Sequence, residues 1–127
     1  MVDDIHDQDT EVSYGDLRVR LDRGVVRPDR WQEVPSKVAY LDLDRLSFPL
    51  HLRGWQQADC FTPLGMSGTK KVSDLLIDRK VPVIKKKETL VLVSGKEIAW
   101  VVGHQMSDRF KVTPQTRRLI KITVSLS

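Results

Sequence analysis

The sequence predicts an α+β domain, a small mixed or antiparallel sheet with one packed short helix. Three observations predict it. Two apolar runs, residues 89–94 and 97–102, flank Gly95-Lys96, and glycine in the first position of a two-residue turn suits a type II′ hairpin. Residues 118–124 alternate well enough for a final strand. Between them in character, Val72, Leu75, Leu76 and Arg79 follow the i, i+3, i+4, i+7 rhythm of a helix, which Pro82 stops soon after Lys80.

Taken in order, residues 1–11 are acidic and short of apolar side chains, so they are expected to fray. Leu17, Val19 and Leu21 alternate with Arg18, Arg20 and Asp22, a half-buried strand whose partner is residues 11–14 across a Gly15-Asp16 turn. Gly24, Pro28 and Pro35 break up the next stretch. Residues 38–43 are strand-like and mostly apolar, and Asp44-Arg45 ends them; residues 49–53 offer another short extended piece. Pro63, Gly65 and Gly68 then make a loop. The helix follows, with Thr69 as its N-cap and the aliphatic stem of Arg79 closing its apolar stripe. At about ten residues it is too short to be stable alone in water, so it must lie on the sheet. Both hairpin strands are apolar on both faces, which places them centrally with the helix over one side. Residues 110–112 form a short strand, and Thr113-Pro114 turns the chain.

A chain of 127 residues fits one domain, or one domain with an attached piece of another. No apolar run approaches the length of a membrane span and no leader pattern opens the chain, so no membrane partner is expected. Cys60 is the only cysteine, which excludes an internal disulfide and a cysteine-based zinc site and fits the cytoplasm. The net charge of +4 is unevenly spread. Residues 1–49 hold 7 Lys+Arg against 11 Asp+Glu, and residues 50–127 hold 14 against 6. That asymmetry points to a polyanion partner for the second part.

No catalytic constellation is visible. His6, His51 and His104 are scattered and lack metal-ligand spacing. Cys60 has no histidine at a telling spacing and is read as buried or incidental. The run from Gly65 to Lys70 fails as a phosphate loop, because Thr69 separates the second glycine from the lysine and the spacing is short. The carboxylate pairs Asp42 with Asp44 and Asp74 with Asp78 lack an acid–base partner and read as solvated or ion-paired surface.

What remains is positive charge. Lys70 and Lys71 fill the expected first turn of the helix, where the dipole disfavours cations and exposed N–H groups could receive a phosphate oxygen. The plainer reading is a solvated face with Lys70 paired to Asp74. Further clusters are Arg79-Lys80, Lys85-Lys86-Lys87, Arg109 with Lys111, and Arg117-Arg118 with Lys121. No helix-turn-helix or zinc-finger pattern is present, so RNA met through its phosphates is the better match. A protein-interaction or dimerisation module, a homodimer for instance, is the rival reading, with incidental charge. A free-standing small enzyme is a third, with no constellation to support it.

The residues Asp59-Cys60-Phe61-Thr62-Pro63-Leu64-Gly65-Met66, Gly68-Thr69-Lys70-Lys71-Val72-Ser73-Asp74 and Asp78-Arg79-Lys80-Val81-Pro82 together resemble the C-terminal domain of bacterial tRNA(Ile)-lysidine synthetase. Ile98-Ala99-Trp100-Val101-Val102-Gly103 and Asp108-Arg109-Phe110-Lys111-Val112 continue the resemblance in order, and it covers roughly residues 37–125. It implies two parts: residues 1–36 as a remnant of the preceding linker or middle region with a β-hairpin, and residues 37–127 as the C-terminal tRNA-binding domain.

The family's full enzyme uses ATP, with magnesium, to activate the wobble cytidine of a minor isoleucine tRNA and attach lysine. That chemistry belongs to an N-terminal catalytic domain with an SGGxDS-type loop; Ser67-Gly68 and Ser94-Gly95 lack its second glycine and Asp-Ser. The resemblance therefore implies a fragment without catalytic residues, cofactor or metal, whose partners are tRNA, gripped at its acceptor-stem end, and the catalytic domain of the same enzyme. By position it implicates Arg53, Lys70, Lys71, Arg79 and Lys80 in RNA contact, and the charge clusters add Lys85, Lys86, Arg109 and Lys111. Gln56, Gln57, Ala58, His104 and Gln105 stand where the family often carries other residues, arginine among them.

Overall fold

The apolar alternation that marks the strands is used twice, once in each of two stacked antiparallel sheets. The computed structural model describes residues 2–126. In order these form β1 (Val2–Ile5), β2 (Glu11–Tyr14), β3 (Leu17–Arg23), β4 (Val38–Asp42), β5 (Leu50–Gly54), β6 (Cys60–Phe61) and β7 (Lys70–Lys71). Helices α1 (Val72–Asp78) and α2 (Val83–Glu88) come next, then β8 (Leu90–Ser94), β9 (Glu97–Val101), β10 (Gln105–Met106) and β11 (Leu119–Leu126). The first sheet has the order β1-β5-β8-β9-β10 and the second β2-β3-β11-β4, while β6 and β7 pair separately. Every pairing is antiparallel.

The α+β class holds, with two short helices rather than one. Both predicted hairpins are present. Gly15 and Gly95 take φ of 59° and 60° at their turns, where a side chain would be strained.

The inner faces of the two sheets bury Ile5, Leu50, Leu52, Leu92 and Trp100 against Val19, Leu21, Leu41, Ile120 and Ile122. A bulge in β9 shapes this core. Leu92 lies opposite Trp100 but Val93 opposite Ile98, so Ala99 is the extra residue. As a result Ala99 and Trp100 both face the second sheet, while Ile98 and Val101 face the other way. There they meet Val72, Leu75 and Leu76 of α1, together with Phe61, Val91 and Val93. A seven-residue helix is unstable alone; burying these three side chains, at about 1.5–3 kcal/mol each, holds it on the sheet.

Four expectations need correction. Residues 2–5 do not fray: β1 pairs with β5, and Ile5 is fully buried opposite Leu50. The loop behind it is held too, since Arg23 Nη1 donates to the Asp9 carbonyl at 2.7 Å. Residues 110–112 are not a strand; Asp108–Phe110 is a single 3-10 turn capped by the Ser107 hydroxyl, which seats Phe110 in the core. Helix α2 was not expected, because neither Val83 nor Ile84 is buried and no apolar stripe marks it. Finally, α1 begins two residues later than the lysine pair suggests.

Candidate nucleic-acid interface

The late start of α1 follows from a pairing that local sequence cannot reveal. Lys70 and Lys71 lie opposite Phe61 and Cys60 in a two-stranded ladder, so they are extended rather than helical. Lys71 stands at the N-cap position and makes no capping hydrogen bond, so Thr69 does not cap the helix. The Val72 N–H donates to the Asp59 carbonyl at 3.0 Å. The helix start is thus tied to the preceding loop, and the idea of a phosphate seated on a lysine-headed first turn fails. The Lys70 ammonium pairs with Asp78 at the far end of α1, not with Asp74.

At that far end, Arg79 does not close the apolar stripe. Its guanidinium reaches outward, donating from Nη1 to the His104 carbonyl at 3.1 Å and from Nη2 to Gln105 Oε1 at 2.5 Å. Lys80 follows with φ of 54°, and among the described residues no other non-glycine residue has positive φ. That left-handed conformation normally ends helices on glycine, and a residue with a Cβ is strained there. Pro82 then opens α2, whose carbonyl ends are gathered by two neighbours. Trp55 Nε1 donates to Lys86 O at 2.6 Å, and Thr89 Oγ1 to Lys85 O at 2.9 Å. The lysine run occupies the last turn of α2, where the dipole favours cations.

Residues 70–88 hold seven Lys+Arg against three Asp+Glu. Six of the nine predicted contact residues fall here: Lys70, Lys71, Arg79, Lys80, Lys85 and Lys86. Five lysines, Lys71, Lys80, Lys85, Lys86 and Lys87, have no ion-pair partner among the described residues. Such charges are free to be neutralised by something else.

The other three predicted residues are engaged by the protein itself. Arg53 projects from β5 and forms a two-pronged pair with Asp59, Nη1 and Nη2 each 2.9 Å from one carboxylate oxygen. Burial pushes the Asp59 carboxyl up, but the hydrogen bonds from Arg53 and the Gln56 N–H and the arginine charge together hold it below the usual carboxylate range. Arg109 pairs with Glu97 at 2.5 Å and Lys111 with Asp108 at 2.9 Å, beside the 3-10 turn rather than on the segment 70–88. Arg118 is likewise taken, by Asp44. Trp55, which hangs α2 on the sheet, gave no signal in the sequence beyond being a tryptophan.

The remaining chemistry-bearing side chains do not converge. His51 Nδ1 lies 2.6 Å from Asp4 Oδ1 across the β1–β5 pairing, and Cys60 is exposed. Among the described residues no three His, Cys, Asp or Glu side chains are grouped as a metal would require. No described helix is long and apolar enough to cross a membrane.

Residues 50–123 match the family described as the TilS substrate C-terminal domain. The chain belongs to that family. It is 38% identical over 114 residues to the tRNA(Ile)-lysidine synthase of Parabacteroides distasonis, covering 90% of this chain and 26% of that protein. With the tRNA(Ile)-lysidine synthase of Bacteroides thetaiotaomicron it shares 42% identity over 85 residues, 67% of this chain and 20% of that one. The chain therefore spans between a fifth and about a quarter of the length of these relatives.

Two solved structures share the fold. A crystal structure of a TilS C-terminal domain superposes with a TM-score of 0.75 at 21% identity, over 87% of this chain and 85% of that one. An N-terminal fragment of the phenylalanyl-tRNA synthetase beta-subunit from Pyrococcus horikoshii gives 0.62 at 15% identity, over 71% and 28%. Both likenesses concern the fold.

Proposed function

We propose that this domain holds tRNA by its phosphates, through the lysines of residues 71–87, as the C-terminal domain of a tRNA(Ile)-lysidine synthase. The observation that carries the reading is that five lysines between residues 71 and 87, outside the two stacked sheets, have no ion partner among the described residues. Lys80 supports it further. A lysine kept at φ of 54° costs stability that glycine would not, which fits a side chain retained for contact. The relatives' name, tRNA(Ile)-lysidine synthase, supplies the substrate class, tRNA.

In this reading the acceptor-stem end of a minor isoleucine tRNA lies against the segment. The ligase chemistry, in which ATP and magnesium serve to join lysine to the wobble cytidine, belongs to the remainder of the intact cytoplasmic protein. The domain positions the RNA and performs no bond-making step. Its contacts are to phosphate and so carry no sequence information themselves.

Titration of isoleucine tRNA and of an acceptor-stem minihelix at several salt concentrations tests this. Replacing Lys71, Lys80, Lys85, Lys86 and Lys87 by Gln should flatten the salt dependence by about 0.7–0.9 log unit per lost contact. An unchanged slope defeats the reading.

One observation favours a second reading. Ile77, Val83 and Ile84, on the same segment, are 58%, 67% and 73% exposed. Large apolar side chains exposed on one segment suit a protein partner, a second copy of the chain or the catalytic domain. Salt-insensitive self-association, abolished by Ile84→Ser, would support that alternative.

A further inference from the structure

A groove of about 330 Å³ opens where the β4 edge of the second sheet meets β10 of the first. Trp100 lies at its floor, fully covered, and Trp31 and Tyr40 line it from residues ahead of β5. Their rings meet edge to face, 5.6 Å between centroids and perpendicular. Trp31 nevertheless remains 43% exposed, a large rigid ring presented to solvent from a 3-10 turn.

Two basic side chains line the groove, Lys111 and His104, with no Asp or Glu among the lining; Asp108 already pairs with Lys111, and Asp29 and Glu33 stand beside Tyr40 in the adjoining hollow. Lys121 Nζ stands 5.9 Å over the Tyr40 ring. The groove also continues the lysine segment. Arg79, which ends α1, donates to the His104 carbonyl and the Gln105 side chain, and both residues line the groove. Burial, and after it the neighbouring Arg79 charge, lowers the His104 pKa. A neutral imidazole keeps one donor and one acceptor nitrogen.

We propose that this groove receives an unpaired nucleobase of the bound RNA, its ring against Trp31 and Tyr40 and its edge toward His104. The inference rests on the tRNA-binding reading above and names a second contact within it. Aromatic platforms in a positively charged groove accept single-stranded bases with little sequence preference. Bases stacked inside a duplex do not present such a face, so the occupant comes from a loop or an unpaired end. Continuity with the lysine segment, through Arg79 on His104 and Gln105, favours a base tethered to phosphates over an apolar peptide side chain.

Two RNA probes test it on the 127-residue chain: a short blunt-ended duplex, and the same duplex with a single-stranded 3′ extension of a few adenosines. The extension should tighten binding to the parent roughly ten- to a hundredfold. Trp31→Ala should lose that gain, Trp31→Phe should keep most of it, and the blunt duplex should bind all three with one salt slope. Because Trp31 is exposed outside both cores, thermal unfolding of the variants should match the parent. If the extension adds nothing while the blunt duplex still binds with a steep salt slope, the base site is overturned, the phosphate reading stands, and the groove is left to a protein segment. If neither RNA binds, both readings fall.

Discussion

Arg53 and Asp59 face each other across the turn that follows β5, with both guanidinium Nη atoms 2.9 Å from carboxylate oxygens and both side chains largely covered. The same carboxylate accepts the Gln56 N–H at 2.7 Å, so the pair fixes the turn leading into β6. The arginine fork is therefore occupied before any RNA arrives. Arg53→Lys keeps the charge but loses the fork, and should cost about 2–3 kcal/mol through the imperfectly satisfied carboxylate. The RNA salt slope should not move.

The same pair predicts an acid response. Asp59 has its folded pKa below the unfolded value, so its stabilising contribution is complete above the unfolded pKa, near 4. It is lost as the pH falls below that value and through the folded one. Urea midpoints at pH 7 and pH 3 should show a larger drop for the parent than for Asp59→Asn. Equal drops would mean that the hydrogen bonds do not favour the ionised form.

Lys80 predicts opposite movements of stability and binding. Lys80→Gly relieves the strain at φ of 54° and should raise stability by about 1 kcal/mol. It should also weaken tRNA binding and lower the salt slope by one contact. A variant that is more stable and binds as well as the parent would make Lys80 a structural accident. Lys71→Gln is the matched control, lowering the slope with stability within about 0.5 kcal/mol, as befits an exposed side chain with no partner.

Helix α1 should depend on its inner face alone. Leu76→Ala, at a fully buried site facing Val91 and Val101, should cost about 2–5 kcal/mol by denaturant unfolding. Ile77→Ala, one position away and 58% exposed, should change stability by less than about 0.5 kcal/mol.

Ile5 tests whether the opening residues are structural. Its side chain is fully buried in the core between the sheets, so Ile5→Ala should cost about 2–5 kcal/mol. A negligible loss would mean that β1 is dispensable.

How much of this could be read in advance divides along sequence distance. The hairpins at Gly15-Asp16 and Gly95-Lys96 and the alternation in β11 are local signals, and they were legible. So was the apolar stripe Val72, Leu75 and Leu76. The start of α1 was not, because Lys70 and Lys71 are drawn into extended pairing by Cys60 and Phe61. β1 was hidden because its acidic residues look unfolded until β5, some fifty positions on, supplies a ladder. α2 was hidden because it buries no side chain. The positive half of the chain was plain from composition, but which cations stay free was not. Asp78, the His104 carbonyl and Glu97 take up Lys70, Arg79 and Arg109, and each lies eight or more residues away.

The doubled step at Ala99 makes β9 a gearbox between the two layers it separates. Removing that one residue would return the strand to strict alternation, with Ile98 and Val101 still toward α1 and Trp100 still between the sheets, at the loss of the carbonyl that accepts the Ser107 N–H. A deletion in β9 should therefore be tolerated best at Ala99, and added length best at the Gly95-Lys96 tip, where it shifts no side chain from one layer to the other.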